Sequence, residues 1–92
     1  MSVIYVVVAR IPAEGVDRFQ RYEAAVLPLL ADHDGTLERR LRSGDGTTEV
    51  HVIRFASTAA FAGYRDDPRR QVGREDLLAS GAEIELHELA DV

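Results

Sequence analysis

Residues 3–10 are apolar at nearly every position and rich in β-branched side chains, the pattern of a central strand covered on both faces. Ile11-Pro12 ends the run, because proline has no N–H to give to a central ladder. From about Gly15 the period lengthens. Val16, Phe19, Tyr22, Val26, Leu29 and Leu30 recur every three or four residues and mark one buried helix face. Pro28 falls inside this helix and is expected to kink its last turns or break it locally, at about 3 kcal/mol unless packing compensates. The helix is expected to stop at Asp34-Gly35, with Gly35 in a left-handed C′ position.

Residues 36–42 alternate, with Leu37 and Leu41 on one side and Glu38, Arg40 and Arg42 on the other. Ser43-Gly44-Asp45-Gly46-Thr47 is turn chemistry that joins the next strand as a hairpin. That strand, residues 48–55, carries Val50, Val52 and Arg54 on one face and Glu49, His51, Ile53 and Phe55 on the other. Ser57 is placed to N-cap a helix whose inner side holds Phe61 and Tyr64. Asp67-Pro68 breaks and restarts it, with Asp67 as the new cap and Pro68 in the first turn. Val72, Leu77 and Leu78 are expected to face inward before Ser80-Gly81 ends the segment. Residues 82–89 form the last strand, with Ile84 and Leu86 opposite Glu83, Glu85 and His87.

The order is β-α-β-β-α-β, an α+β chain of the ferredoxin-like split βαβ kind, in a single domain over residues 1–92. Right-handed crossovers place the first and third strands centrally, the second and fourth at the edges of an antiparallel four-stranded sheet, and both helices on one face. The other face is then bare. Its central strands carry bulky apolar groups on both sides, so leaving it in water would expose a large apolar patch. A second copy of the chain is the simplest cover, which makes a homodimer the expected assembly.

Composition narrows the partners. Among 92 residues, 46% are hydrophobic and 29% charged, a globular balance rather than a disordered one. The formal charge is -5 and every basic residue is arginine, so nucleic acid is not expected as a partner; the best local basic cluster, Arg39, Arg40 and Arg42, is small. Cysteine is absent, which excludes disulfides, thiol nucleophiles and cysteine-ligated metals and is compatible with a reducing cytoplasm. The apolar start lacks a basic leader and is too short to span a bilayer, so neither export nor membrane attachment is expected.

No catalytic motif stands in the sequence, and candidates come from position alone. His51 is mid-strand in a central position and titrates near neutrality, so it is a candidate general base or, as the plainer alternative, a structural histidine. His87 is placed to share a face with His51 at two strands' separation, roughly 10 Å, or else to be an exposed edge-strand residue. Arg39 and Arg54 are charged positions on otherwise apolar faces, which meet a carboxylate such as Glu23 or Glu88 or await an anionic ligand. Tyr22 and Tyr64, on the inner faces of the two helices, are placed to line a pocket between helix and sheet. Asp32-His33-Asp34 reads as a solvated helix end, and no metal-ligand spacing is present, so no metal is expected.

Four stretches together carry a resemblance: Val3-Ile4-Tyr5-Val6-Val7-Val8, Tyr22 to Leu30 running into His33-Asp34-Gly35, Val52-Ile53-Arg54-Phe55-Ala56-Ser57, and Tyr64-Arg65-Asp66-Asp67-Pro68. They resemble the dimeric α+β barrel superfamily, in particular its short bacterial domains of unknown function beside the antibiotic-biosynthesis monooxygenase-like proteins. The resemblance implies two ferredoxin-like subunits packed sheet against sheet, and an activity on a small aromatic or polyketide-like compound without a bound cofactor. Under such an activity the positional candidates would serve with His51 as base, Arg54 or Arg39 as stabiliser of the developing oxyanion, and Tyr22, Tyr64 and His87 as ligand contacts. A non-catalytic, small-ligand-binding dimer is the alternative it allows. Haem-degrading members use an Asn, a Trp and a His, and this chain has neither Asn nor Trp. The Gly-Gly that often follows the first helix in the unknown-function group stands here as Asp34-Gly35.

Overall fold

A computed structural model describes residues 2–92. Four strands, β1 (Val3–Arg10), β2 (Gly35–Arg42), β3 (Thr48–Phe55) and β4 (Glu83–Leu89), form one antiparallel sheet in the order β2-β3-β1-β4. The first and third strands are therefore central, as the crossover rule requires. Helix α1 (Val16–Val26) lies between β1 and β2; α2 (Thr58–Arg65) and α3 (Arg74–Ser80) lie between β3 and β4. The arrangement is the ferredoxin-like α+β fold.

The helix breaks where proline dictates. Helix α1 ends at Val26, and the chain continues through Pro28 as a 3₁₀ segment, Leu27–His33. The left-handed residue that closes it is Asp34, at φ 52, and not Gly35 as the sequence predicts. Gly35 has a different use. It is the first residue of β2, and a Cβ there would sit 2.7 Å from the Phe55 ring, so glycine lets the sheet close over that ring. Ser57 caps α2 by accepting from the Ala60 N–H at 3.1 Å, Asp67 caps the 3₁₀ segment Pro68–Gly73 through the Arg69 N–H at 2.9 Å, and Gly81 at φ 72 ends α3.

On the helix side, Tyr5, Leu30, Ile53, Phe55 and Tyr64 form one buried cluster and Ala9, Ile11 and Phe19 another. Phe55 is enclosed by the edges and faces of Tyr5, Phe61 and Tyr64, with ring centroids 5.5–5.9 Å away, spacings at which aromatic pairs attract. Two inward placements fail. Val72 and Leu78 are 78% and 68% exposed, and Leu77 alone of the three turns inward. Residues 68–73 wind with a period of three, so α-helical spacing cannot be carried through them.

Strand β2 departs from alternation as well. A β-bulge falls between Leu37 and Arg39, so Leu37 stands opposite Ile53 whereas Leu41 stands opposite Val50 on the other side of the sheet. The extra residue turns Arg40 and Arg42 to the helix side, where they meet His51 and Glu49 across the ladder. The remaining face carries Ile4, Val6 and Val8 of β1 and Val50 and Val52 of β3, all partly exposed, with Leu41 and Leu89 about half exposed at the edges. It is bare, as expected, and apolar across its centre, with Arg39, Arg54, Glu85 and His87 around that centre. Among the described residues, no helix is long and apolar enough to cross a membrane.

Candidate functional site

Between the helices and the sheet lies a cavity of about 270 Å³. Its walls are side chains that alternation and helical period deliver to one side: Tyr5 and Val7 of β1, His51, Ile53 and Phe55 of β3, and Phe19, Tyr22, Glu23 and Val26 of α1. The edge strand contributes Ile84 and Leu86, which are 42% and 50% exposed because no helix lies over them. Tyr64, Arg65 and Arg70 also line the cavity. The lining is largely apolar, with a few convergent polar groups, the usual make-up of a small-molecule site.

At the inner end sits a buried charge cluster. His51 Nε2 is 2.9 Å from Glu49 Oε1 and 2.9 Å from Glu23 Oε2. Arg40 reaches Glu49 at 3.0 Å and Glu23 at 3.1 Å, and Arg42 reaches Glu49 at 3.0 Å. Glu23 and Glu49 are each 1% exposed and His51 is 5% exposed. Glu49 accepts well-aligned hydrogen bonds from both arginines and His51. Glu23 does not: both its oxygens are buried without an aligned hydrogen-bond partner among the described residues, although cations lie within 3.1 Å. Proximity gives Glu23 charge compensation, with donors on its oxygens less well aligned than those on Glu49.

The three groups hold protons unequally. Burial, reinforced by the adjacent Glu49 and opposed by His51, raises Glu23 above the usual carboxylate range. Burial also opposes ionisation of Glu49, but its close contacts with Glu23, His51 and both arginines prevail and hold it low. For His51, burial favours the neutral ring, and the two carboxylates outweigh it and raise its pKa. Both His51 and Glu23 therefore hold a proton more tightly than their ordinary counterparts, while Glu49 holds one less tightly. Three ligand atoms of Glu23, Glu49 and His51 lie within 4.8 Å of one another, as in a metal site. The two guanidiniums already take up the carboxylate charge that a divalent cation would need.

The structure brings His51, Tyr22 and Tyr64 to one cavity and separates the other expected residues from it. His87 pairs with Val6 whereas His51 pairs with Val7, so the two histidines occupy opposite faces of the sheet; His87 is exposed, 3.4 Å from Glu85. Arg39 and Arg54 also lie on the bare face, opposite Val52 and Ile4. Neither can reach a group in the cavity of its own protomer. Arg54 is engaged by Glu38 at 3.2 Å, Asp91 at 3.3 Å and Ser2 at 2.7 Å. The expected partner Glu88 instead accepts from the Tyr5 hydroxyl at 2.5 Å. His33 is not simply solvated: its Nε2 is 2.7 Å from Asp67 Oδ2, which ties the two 3₁₀ segments together. Sequence reading missed Glu23 and Glu49 as members of the site, together with Arg65 and Arg70. A signal was present for the first two. Glu23 falls on the apolar stripe between Phe19 and Val26, and Glu49 shares its strand face with His51 and Phe55.

No protein-family model matches the chain, and no curated protein matches it. Solved structures do match over nearly its whole length. A dimeric ferredoxin-like protein of unknown function from Jannaschia sp. superposes with a TM-score of 0.75 at 21% identity, over 99% of this chain and 100% of that one. SnoaB, a cofactor-independent oxygenase from Streptomyces nogalater, superposes with a TM-score of 0.71 at 21% identity, over 99% of this chain and 93% of that one. A candidate antibiotic biosynthesis monooxygenase from Bacteroides thetaiotaomicron gives a TM-score of 0.82 at 12% identity, over 99% and 90%. At these identities the likeness is one of fold.

Proposed function

We propose, from a fold shared with a cofactor-independent oxygenase and from the cavity that fold encloses here, that the protein binds a small aromatic or polyketide-like molecule and oxygenates it without a bound cofactor. The observation that carries this reading is Glu23: a buried carboxyl group without well-aligned donors on its oxygens, on the wall of an apolar cavity, 2.9 Å from His51. The oxygens of Glu23 are closed off in this structure, so a small shift of the cavity wall would bring a phenol or enol hydroxyl against them as an aligned donor. When Glu23 is ionised the proton passes to it, and its raised proton affinity makes it a stronger base than an ordinary carboxylate. His51 and Arg40 keep the pair charge-compensated and positioned. The resulting phenolate or enolate is the electron-rich species that dioxygen attacks. For 1-naphthol the balance is one naphthol and one O₂ giving one 1,4-naphthoquinone and one water, the ring oxidised and dioxygen reduced. His51, the expected base, serves in this scheme by positioning Glu23.

The protein works, on this reading, as a cytoplasmic homodimer joined through the bare sheet faces, which leaves both cavities open on the outside. The apolar face and the dimeric Jannaschia structure support it. Oxygen uptake with 1-naphthol or anthrone tests the chemistry: protein should raise the rate above buffer, and Glu23→Gln should lower the gain roughly 100-fold, within the range general-base catalysis supplies. Uptake unchanged by protein, or equal for the variant, sinks it. A second reading, binding without turnover, is favoured by His51 Nε2 being occupied by two carboxylates at 2.9 Å. It predicts ligand affinity that survives His51→Ala, with no oxygen consumed.

A further inference from the structure

The cavity adjoins a second depression of about 350 Å³, and Tyr22, Arg65, Arg70 and Leu77 line both. Charge there is unevenly spent. Asp66 is held by Arg65 at 2.9 Å, and Asp67 by Arg69 and His33 at 2.7 Å each. Arg70 has no carboxylate within ion-pair distance among the described residues, although it is partly buried and stands where cavity and depression meet. Its guanidinium lies 4.5 Å from the centre of the Tyr64 ring, and Nη2 donates to the Tyr22 hydroxyl at 3.3 Å. The ring beneath and the hydroxyl beside it fix the plane of the fork. No other protein acceptor among the described residues takes its remaining N–H groups.

A planar guanidinium, pre-oriented, lacking a counter-ion and half removed from water, is the standard receptor for a carboxylate, which it binds through two parallel N–H···O contacts. We infer that the ligand of this cavity is an anion, a flat apolar ring system whose carboxylate is received by Arg70 at the mouth while the rings lie inside. This rests on the cavity being the ligand site, and adds the substrate class: aromatic or polyketide-like acids rather than their neutral counterparts. Arg74, on the rim of the depression and also without an ion pair among the described residues, adds a like charge on the approach.

The test uses a matched pair of probes, 2-naphthoate and the neutral 2-naphthamide, titrated by calorimetry into the full chain at low salt. Wild-type protein should bind the naphthoate on the order of tenfold more tightly than the amide, and Arg70→Gln should erase that ratio. Arg21→Gln, which removes an equal charge outside both the cavity and the depression, should leave the ratio standing. Amide and acid binding equally to wild-type protein, or a preference that persists in Arg70→Gln, would overturn the anion inference and leave the cavity reading intact. Failure of both probes to bind would overturn the two together. Should Arg70→Gln not fold by circular dichroism, Arg70→Lys serves: a ratio reduced at least threefold supports the planar fork, and an unchanged ratio overturns it.

Discussion

Glu23 and His51 decide how the protein responds to pH. Both bind a proton more tightly in the folded chain than in the unfolded one. The stability they lend is therefore fully present below their unfolded values, about 4.3 for Glu and about 6.5 for His, and is lost as pH rises through the folded values. Glu49 runs the other way, its contribution present above the ordinary carboxylate range and lost as pH falls through its lowered value. Glu23→Gln mimics the protonated acid. Its melting temperature should match the wild type below the unfolded carboxylate value of about 4.3 and exceed it once pH has risen through the folded value, with a flatter slope between. Parallel melting curves for the two proteins across that span would show that Glu23 is not the group whose ionisation burial opposes.

At the scale of elements, Gly15 shows how tightly the two halves of the helical layer meet. A Cβ there would lie 1.9 Å from the Ser80 carbonyl oxygen at the end of α3, and that neighbour is backbone, which cannot step aside. Gly15→Ala should lower stability by about 1–3 kcal/mol in urea denaturation, and a change below 0.5 kcal/mol (roughly the scatter of a neutral surface substitution) would mean that α3 is free to shift. The elements themselves were legible. Strands β1 and β3 occupy the predicted residues, Pro28 breaks its helix, and Ser57, Asp67 and Gly81 cap as their chemistry dictates. What was not legible has a common cause, a local change of period. The bulge at Glu38 inverts the expected face of Arg40 and Arg42, and the 3₁₀ winding of residues 68–73 spoils the expected faces of Val72 and Leu78. The site suffered for the same reason. Arg40 and Arg42 reach Glu23 and Glu49 only across that bulge, and Arg70 meets Tyr22 only through that 3₁₀ segment.

The whole molecule has one covered and one bare sheet face, and the bare one is apolar across its centre. Val52→Glu sets a carboxylate in the middle of it. Native mass spectrometry should show wild-type protein as a dimer at micromolar concentration and the variant as a monomer, since a buried charge without a partner costs more than such a face returns. A monomeric wild type would remove the case for assembly. Strand β3 belongs to both faces at once: His51 and Ile53 look into the cavity, while Val50 and Val52, one residue away on each side, look out of it. A slip of the strand by a single residue would therefore exchange inside for outside along its whole length, turning the acid–base groups to the surface and plugging the pocket with valine. Pairing on both flanks, with β1 and β2, pins that strand in register, so errors in its alignment during folding should be silent in secondary-structure content and total in ligand binding.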